Sequence, residues 1–266
     1  MTTNTKAAVI IPFYKTILTR YEEIALKQCF NILDGHPIIA VKPHSLTLPE
    51  SATKKGFYDI ISFDDKYFAD IHGYNALMLS EEFYKSFINY EYILIYQLDA
   101  FVFRDELIEW CSKGYDYIGA PWTYKKAPGL VRKLKNYLYF KNNAKYKDGM
   151  PKIGRQMEDR VGNGGFSLRR VKTFANYAAS QREKIEEYLR MRHPWFNEDI
   201  FWSIELNRKK QQLVIPELKT ALKFAFETNL DRCLHINNNQ LPFGCHAWDK
   251  HADFWRPIFK SFNADI

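Results

Sequence analysis

The sequence contains no long hydrophobic run. None of its 266 residues belongs to a stretch of about 18 or more apolar residues, the length that a transmembrane helix needs. The first residues, MTTNTKAAVIIPFYK, lack the pattern of a secretory signal peptide, because their apolar part continues directly into a strand-like segment. We therefore expect a cytoplasmic protein, with a peripheral position at the inner face of the membrane as the alternative.

Cysteine is scarce. The four cysteines include no C-x-x-C pair, and Cys29 and Cys111 fall in helix-like segments, where a buried reduced thiol is the usual state. This usage fits a reducing compartment. One alternative stays open, although its spacing matches no usual structural zinc pattern: a zinc site made by Cys233, His235, Cys245 and His246.

The glycine-rich motifs of common nucleotide-binding folds are absent. No G-x-G-x-x-G follows the first predicted strand, and no G-x-x-x-x-G-K-[ST] occurs anywhere. These absences argue against a dinucleotide-dependent oxidoreductase and a P-loop enzyme. The segment VIIPFYKTILTR also lacks the glycine-rich phosphate loop of nucleotidyltransferases with a similar topology. Nucleotide binding by other means remains open.

Acidic residues are almost missing from residues 125–155. The whole chain has a formal charge of +7, from 38 Lys and Arg against 31 Asp and Glu. This basic segment alone holds ten Lys or Arg and one acid, Asp148, a local charge of +9 that leaves about −2 for the remainder. The positive charge therefore belongs to one segment rather than to the fold.

Three interpretations of the basic segment are open. It is a solvated surface excursion, a patch for an anionic membrane or a lipid-linked acceptor, or a nucleic-acid site. The stretch LVRKLKNYLYF has a partly amphipathic helical pattern, which favours the interfacial role alongside the plain excursion. Nucleic acid is not expected, because no recognised binding module accompanies the charge. Aromatic residues interleave the lysines: Tyr137, Tyr139, Phe140 and Tyr146.

Strand-like and helix-like segments alternate along the chain. Apolar runs such as KAAVIIPFY, PIIAVKP and YDIISFD alternate with helical stretches such as RYEEIALKQCFNIL and YNALMLSEEFYKSF. This order predicts an α/β fold with a Rossmann-like, mostly parallel sheet flanked by helices. Later segments predict strands in YDYIGAPW and GGFSLRR and one long helix over VKTFANYAASQREKIEEYLRMR. No repeat or linker divides the chain, so we expect one domain over residues 1–266.

Asp99 lies near the end of the apolar run YILIYQLDAFVF. A charge inside a strand that is buried on both faces would be costly. The cost disappears if Asp99 lies at the carboxyl end of the strand, where open α/β sheets bind their ligands. Two interpretations therefore stay open at this point: a ligand-binding carboxylate, and a carboxylate that caps the following turn.

Four short motifs fall at predicted strand ends or helix starts: YQLDAF at 96–101, GNGGFSLRR at 162–170, WFNEDIFW at 195–202 and PFGCHAWD at 242–249. Each motif alone is weak, since glycines before a strand serve turns and acids at a helix start complement the helix dipole. In this order they resemble glycosyltransferases of the GT-A fold. The resemblance is closest to a bacterial family catalogued only as a domain of unknown function, and YDYIGAPW followed by GNGGFSLRR is its most specific part.

The resemblance implies a role for each motif. Asp99 and His246 would bind a divalent metal, Mn²⁺ or Mg²⁺, against the diphosphate of the donor. The loop Gly162 to Gly165 would approach the donor sugar and the acceptor. The related enzymes usually have Asp-x-Asp where this chain has Gln97-Leu98-Asp99. Because an amide supplies no charge, we expect metal affinity to be weak or the metal to be dispensable.

The resemblance also implies the catalytic and binding groups. In an inverting enzyme a carboxylate accepts the proton of the attacking hydroxyl, and we assign that base to Asp199, with Glu198 orienting the acceptor. Core or volume-filling roles remain open for Phe13, Tyr14 and the two tryptophans. The implied donor-binding residues are Pro12, Phe13, Tyr14, Tyr74, Asn75, Gln97, Asp99, Gly164 and Gly165. The implied acceptor-binding residues are Trp122, Asn163 and Trp195.

These implications predict an inverting glycosyltransferase. It would move a sugar from a nucleotide-sugar donor to a glycan or lipid-linked glycan, in surface or capsular polysaccharide synthesis. The alternative from another class is a catalytically silent module that binds a nucleotide sugar or a glycan. Gln97 in the acidic motif gives that alternative its support.

Overall fold

The computed structural model describes residues 5–264 and 266. It confirms the predicted α/β class, with strands and helices alternating through the first half of the chain. The strands are β1 (Thr5–Pro12), β2 (Ile38–Pro43), β3 (Asp59–Phe63), β4 (Tyr90–Tyr96), β5 (Phe101–Val102), β6 (Tyr117–Gly119), β7 (Phe166–Arg170), β8 (Ala225–Phe226) and β9 (Gly244–Cys245).

The helices lie between these strands and after them. They are α1 (Arg20–Leu33), α2 (Glu50–Thr53), α3 (Ile71–Met78), α4 (Glu81–Lys85), α5 (Leu107–Ser112), α6 (Leu130–Lys141), α7 (Ile153–Met157), α8 (Val171–Ser180), α9 (Arg182–Leu189), α10 (Glu198–Ile200), α11 (Leu218–Phe224), α12 (Leu230–Ile236) and α13 (Ala252–Lys260). A π-helical turn, Phe201–Glu205, continues α10 directly.

The main sheet has the strand order β3-β2-β1-β4-β7-β6. The pairs β2–β3, β1–β2 and β1–β4 are parallel, whereas β7 is antiparallel to both β4 and β6. The predicted mostly parallel sheet is confirmed, with β7 as the reversed strand. Ligand sites in such sheets lie beyond the carboxyl ends of the parallel strands.

The strands have unbroken apolar sequences because both faces of the sheet are covered. In β1, Val9 and Ile11 pack in a cluster with α1, while Ala8 and Ile10 pack in a second cluster with α3, α4 and α8. Successive side chains of a strand point to opposite faces, so Ala8 and Ile10 meet one helical layer while Val9 and Ile11 meet the other. Because both faces are buried, the carboxyl ends of β1 and β4 are held at a defined place at the edge of the core.

A second, smaller sheet has the order β5-β9-β8. Strand β9 pairs antiparallel with β5 and parallel with β8. The sheet packs on an aromatic cluster shared with α13, in which the rings of Phe101 and Phe259 stack with centroids 3.9 Å apart. The sheet follows β4 closely in the sequence, because β5 begins five residues after Tyr96.

Two predicted elements differ in the structure. The predicted long helix after β7 is two helices, α8 and α9, separated at Gln181, whose φ of −107° and ψ of 18° lie outside the α-helical region. The strand predicted over YDYIGAPW is short, and Pro121 beyond it forms a lone bridge with Val161. Proline has no N–H to continue a ladder of strand hydrogen bonds.

The basic segment folds into α6, a turn and α7, so its predicted helix is confirmed. Across residues 5–264 and 266, no helix is both long enough and apolar enough to cross a membrane. All four cysteines are buried and free. The zinc alternative is wrong, because the described residues contain no group of three or more His, Cys, Asp or Glu side chains that could hold a metal ion. The thiol of Cys233 instead donates to the carbonyl of Thr228.

Candidate active site

A cleft of about 620 Å³ opens beyond the carboxyl ends of β1 and β4. Its volume lies within the range of ligand pockets. Tyr14 on its wall is 44% exposed, and its ring packs against that of Tyr74 with the centroids 5.8 Å apart. Six of the predicted donor-binding residues line the cleft: Pro12, Phe13, Tyr14, Tyr74, Gln97 and Asp99.

The small sheet brings three titratable side chains together at one end of this cleft. Glu227 follows β8 and His246 follows β9, and these two strands are parallel with Phe226 opposite Cys245. The next residue of each strand therefore lies beside the other, which places Glu227 next to His246. On the other side β9 pairs with β5, just after Asp99, and the N–H of Trp248 donates to the carbonyl of Asp99.

His246 is the centre of this cluster. Its Nε2 lies 3.1 Å from Asp99 Oδ1 and 3.2 Å from Gln97 Oε1, while its Nδ1 lies 3.2 Å from Glu227 Oε1. Burial alone would lower the pKa of His246, but the two facing carboxylates outweigh burial and raise this pKa to about 10. Burial would raise the pKa of Asp99, but the charge of His246 lowers it. The cluster is an imidazolium between two carboxylates.

The residues that could hold a divalent cation, with His246 in its neutral form, are Asp99, Gln97 and His246, and metal binding stays a prediction. Asp99 Oδ1 is buried and has no well-aligned hydrogen bond from any described residue, and it converges with Gln97 Oε1 on Nε2 of His246. Glu227 on Nδ1 orients the ring in the way that a carboxylate commonly orients a metal-binding histidine. Since Asp99 and His246 are the two ionisable ligands, with one amide beside them, a cation needs further oxygens from its ligand.

The glycine loop lies against side chains of the chain itself. A Cβ on Gly164 would lie 2.2 Å from Glu198 Oε1, and a Cβ on Gly165 would lie 2.0 Å from His246 Nε2 and 2.5 Å from Gln97 Oε1. The space beside these two glycines is therefore occupied by the acidic motif and the histidine. The missing side chains of Gly164 and Gly165 make room for the residues that line the site, and the approach of this loop to the donor stays a prediction.

Asn163 holds the loop in place. Its Nδ2 donates to Glu227 Oε1 at 2.8 Å, and its Oδ1 accepts from the N–H of Gly165 at 3.0 Å. The hydroxyl of Tyr117 donates to the carbonyls of Gly162 and Asn163. Both polar ends of the buried Asn163 amide are engaged within the protein, which gives this residue a positioning role, and its contact with an acceptor stays a prediction.

Glu198 forms a buried ion pair. Its Oε1 and Oε2 accept from the two terminal nitrogens of Arg169 at 2.9 and 3.0 Å, and both side chains are almost completely buried. Arg169 also donates to the hydroxyl of Tyr84. Because both carboxylate oxygens of Glu198 are held inside the protein, the expectation that Glu198 orients the acceptor is not supported by this geometry.

Asp199 is placed differently from its neighbour. It is half-buried, and its Oδ1 accepts from the N–H of Ile200 at 2.8 Å. Burial, followed by the charges of Glu198 and Glu227, raises the pKa of Asp199 to about 8. A carboxyl group with such a pKa can exchange a proton near neutral pH, which is the property that a general base needs.

Asn75 positions this acidic pair from a distant helix. Its Oδ1 accepts from the N–H of Glu198 at 3.0 Å, and its Nδ2 donates to Asn197 Oδ1 at 3.1 Å. Asn197 is the residue before α10 but its own side chain makes no capping bond. The cap therefore comes from α3, and a contact of Asn75 with the donor stays a prediction.

The two predicted acceptor tryptophans pack on one apolar cluster. Trp122 and Trp195 are half-buried beside the cluster of Phe140, Ile153, Ile200 and Ile204. Trp122 also covers Gly162, where an added Cβ would lie 2.3 Å from its ring. Neither tryptophan lines the cleft, and sugar stacking by them stays a prediction.

Sequence analysis missed Glu227 and Arg169. A signal for Glu227 existed, because it follows the short apolar run LKFAF just as Asp99 follows its strand. Arg169 lies in the motif GNGGFSLRR, but a buried arginine cannot be told from a surface one by its neighbours in sequence.

Comparison with solved structures identifies the fold. The galactosyltransferase LgtC, solved with donor and acceptor sugar analogues, matches with a TM-score of 0.51 and 13% identity over 90% of this chain and 86% of that chain. The bifunctional glycosyltransferase WbbM matches with a TM-score of 0.47 and 13% identity, over 91% of this chain and 45% of its own. GlyE of Streptococcus pneumoniae TIGR4 matches with a TM-score of 0.49 and 14% identity, over 91% of this chain and 54% of its own.

The chain thus spans about half the length of WbbM and of GlyE. The likeness to LgtC shows a GT-A-like glycosyltransferase fold, as the motifs predicted. No curated protein sequence matches the chain. The sequence profile of one family, described as "Protein of unknown function (DUF5672)", matches residues 57–246, which is more than half of the chain, and the chain therefore belongs to the DUF5672 family.

Proposed function

We propose that the protein is a glycosyltransferase that moves a sugar from a nucleotide-sugar donor to a hydroxyl group of a glycan. The observation that carries this proposal is the convergence of Asp99, Gln97 and His246 at the end of the cleft beyond β1 and β4. In a GT-A-like fold this edge of the sheet is where a ligand binds. The cleft is large enough for a nucleotide.

In the proposed donor complex the nucleobase of the donor lies against Tyr14 and Tyr74, and its diphosphate points toward Asp99 and His246. A divalent cation bound by Asp99 and His246 would neutralise the negative charge that grows on the departing diphosphate. Without a cation, a protonated His246 would supply positive charge at the same position instead, so the cation and the imidazolium are alternative means of stabilising the leaving group. We propose that the amide of Gln97, which lines the cleft, donates to a ribose or phosphate oxygen.

The acceptor hydroxyl is proposed to lose its proton to Asp199. The raised pKa of Asp199 supports this role, because a carboxyl group that titrates near neutral pH can accept a proton and release it again. Glu198 stays bound to Arg169 and holds the start of α10 in place. Attack from the face opposite the leaving group inverts the sugar, so the proposal is an inverting hexosyltransferase in surface or capsular glycan synthesis.

A second candidate function is a silent module that binds nucleotide sugars without turnover. Gln97 favours it, because the acidic motif retains one carboxylate. Both candidates predict donor binding, and turnover with an acceptor distinguishes them.

A thermal-shift panel of nucleoside diphosphates and nucleotide sugars, with and without Mn²⁺, tests the donor site. A ligand at a hundred times its Kd stabilises the protein by about 2.7 kcal/mol, which shifts the melting temperature measurably. We expect Asp99→Ala to lose or weaken the response. Asp253→Ala, which removes an exposed carboxylate on α13, is the control and should respond as the parent does. An unchanged response in Asp99→Ala would leave Asp99 as a turn cap.

A further inference from the structure

Helix α6 exposes its apolar side chains to solvent. Leu130 is 86% exposed, Val131 84% and Leu134 62%, and Tyr137 and Leu138 are each about half exposed. At about 100° per residue these five positions fall within an arc of roughly 120°. They form one continuous stripe, which we call the α6 face.

The opposite side of α6 is the side that attaches to the protein, and it is largely polar. Asn136 and Phe140 are the buried residues of the helix. Arg132 donates to Glu158 at 2.9 Å, and Asn136 donates to the same carboxylate. Amphipathic helices of globular proteins bury their apolar side. Helix α6 is inverted, so its apolar face is directed away from the fold that holds it.

Positive charge flanks the α6 face. Lys133 and Lys135 lie at its two edges on the helical projection, and Lys141 lies within it near the end of the helix. The whole basic segment has a charge of +9 with one acid. A second copy of this chain would bring two such segments together and be repelled. An anionic lipid surface complements both the charge and the apolar stripe.

We propose that the α6 face is an interfacial anchor that docks the protein on anionic lipid bilayers. The leucines insert at the level of the headgroups and the lysines pair with lipid phosphates. The helix has 12 residues, too few to cross a bilayer, so it lies in the plane of the membrane. This proposal is independent of the proposed function, since it uses no residue of the cleft.

The anchor has a defined relation to the candidate active site. Phe140 of α6 shares an apolar cluster with Ile200, which follows Asp199 directly. In the same basic segment, the ring of Tyr146 lies 6.1 Å from that of Trp195, three residues before Glu198. Docking through the α6 face therefore holds the part of the site that contains Asp199 at a fixed distance from the bilayer, where a lipid-linked acceptor would be presented.

Vesicle flotation tests the anchor with the full chain and two kinds of vesicle, phosphatidylcholine alone and an equal mixture with phosphatidylglycerol. We expect the parent to float with the anionic vesicles and to be released by salt. Replacing Leu130, Leu134 and Leu138 by Ser should weaken binding about tenfold or more per inserted side chain. Replacing Lys133, Lys135 and Lys141 by Gln should weaken it about fivefold per charge.

The matched control replaces exposed apolar residues elsewhere, Ile88, Ile108 and Val214, by Ser and should bind as the parent does. Absence of parent binding to anionic vesicles would overturn the proposal, as would unchanged binding of the leucine variant. Dimerisation of the parent that the leucine variant loses, without vesicle binding, would assign the face to a second copy instead. Both variants should keep the nucleotide response of the cleft, so failure of the anchor and failure of the proposed function are distinguishable.

Discussion

At the scale of single residues, the neighbours Glu198 and Asp199 have opposite environments. Glu198 is neutralised by Arg169, which holds both of its oxygens. Asp199 has no such partner in the described part of the chain, and burial together with the nearby negative charges raises its pKa to about 8. One residue thus fixes the backbone, and the next is prepared to accept a proton.

Asp199→Asn tests the base. The substitution keeps the size of the side chain but removes its ability to accept a proton at neutral pH. Transfer to the acceptor should fall roughly 10²- to 10⁴-fold, the usual contribution of a positioned base, while donor binding persists. The parent rate should rise with pH through about 8, as Asp199 loses its proton, and the variant should lose this rise. Steady-state rates and thermal shifts on the same samples give both quantities.

Two results would contradict the assignment. Lost donor affinity in Asp199→Asn would move Asp199 into the donor site, and unchanged turnover would give the base role to another carboxylate.

The sequence supported some of these residues better than others. Asp99 could be selected in advance because it follows an apolar strand, whereas His246 was implied by the resemblance of its motif, and the structure brings their side chains to 3.1 Å. The partner of Glu198 could not be selected in this way, because Arg169 lies 29 positions away in the sequence. Whether a carboxylate is neutralised or left to titrate depends on such tertiary contacts, which local patterns do not contain.

At the scale of elements, the glycine loop and α10 depend on each other. The Cβ that Gly164 lacks would lie 2.2 Å from Glu198 Oε1, so the loop, β7 and α10 close around one ion pair. Asn75 of α3 fastens the same helix start from another side. The site is held by contacts between elements far apart in the chain.

Gly164→Ala should therefore destabilise the protein. The new methyl group displaces the carboxylate of Glu198 and leaves Arg169 buried without its partner, a loss of about 3 kcal/mol. The midpoint of urea unfolding measures it. Gly35→Ala is the control, since a Cβ there meets nothing within 4 Å, and its effect should stay below about 1 kcal/mol. Equal urea-unfolding midpoints for the two variants would show that the loop accommodates the new methyl group without breaking the ion pair between Glu198 and Arg169.

Long elements were more predictable than short ones. The parallel strands and α1 follow from strong apolar periodicity, and α6 from its amphipathic pattern. The two-residue strands β5, β8 and β9 have too few residues to show any period. These short strands position Asp99, Glu227 and His246. The elements that assemble the candidate site were therefore the ones that sequence periodicity did not predict.

At the scale of the whole molecule, the raised pKa of Asp199 links stability to pH. An unfolded aspartate loses its proton near pH 3.8, whereas folded Asp199 keeps it to about pH 8. Between these values the folded state binds the extra proton, so the contribution of Asp199 to the unfolding free energy falls as pH rises. Asp199→Asn removes this dependence.

We therefore expect Asp199→Asn to gain stability relative to the parent as the pH increases from 4 to 8, with no further gain above that window. Urea unfolding of both proteins at several pH values measures the difference. A constant difference across the window would show that the pKa of Asp199 is the same in the folded and unfolded states.

The order of strands in the main sheet also governs how the protein is made. The central strand β4 pairs with β1 on one side, but its other partner, β7, begins 70 residues after β4 ends. At a synthesis rate of about 5–20 residues per second, a ribosome needs roughly 4 to 14 s to deliver that partner. During this interval one side of β4 presents unpaired backbone groups, the arrangement from which edge-to-edge aggregation starts. We therefore expect the nascent chain to be prone to edge-to-edge association during this interval.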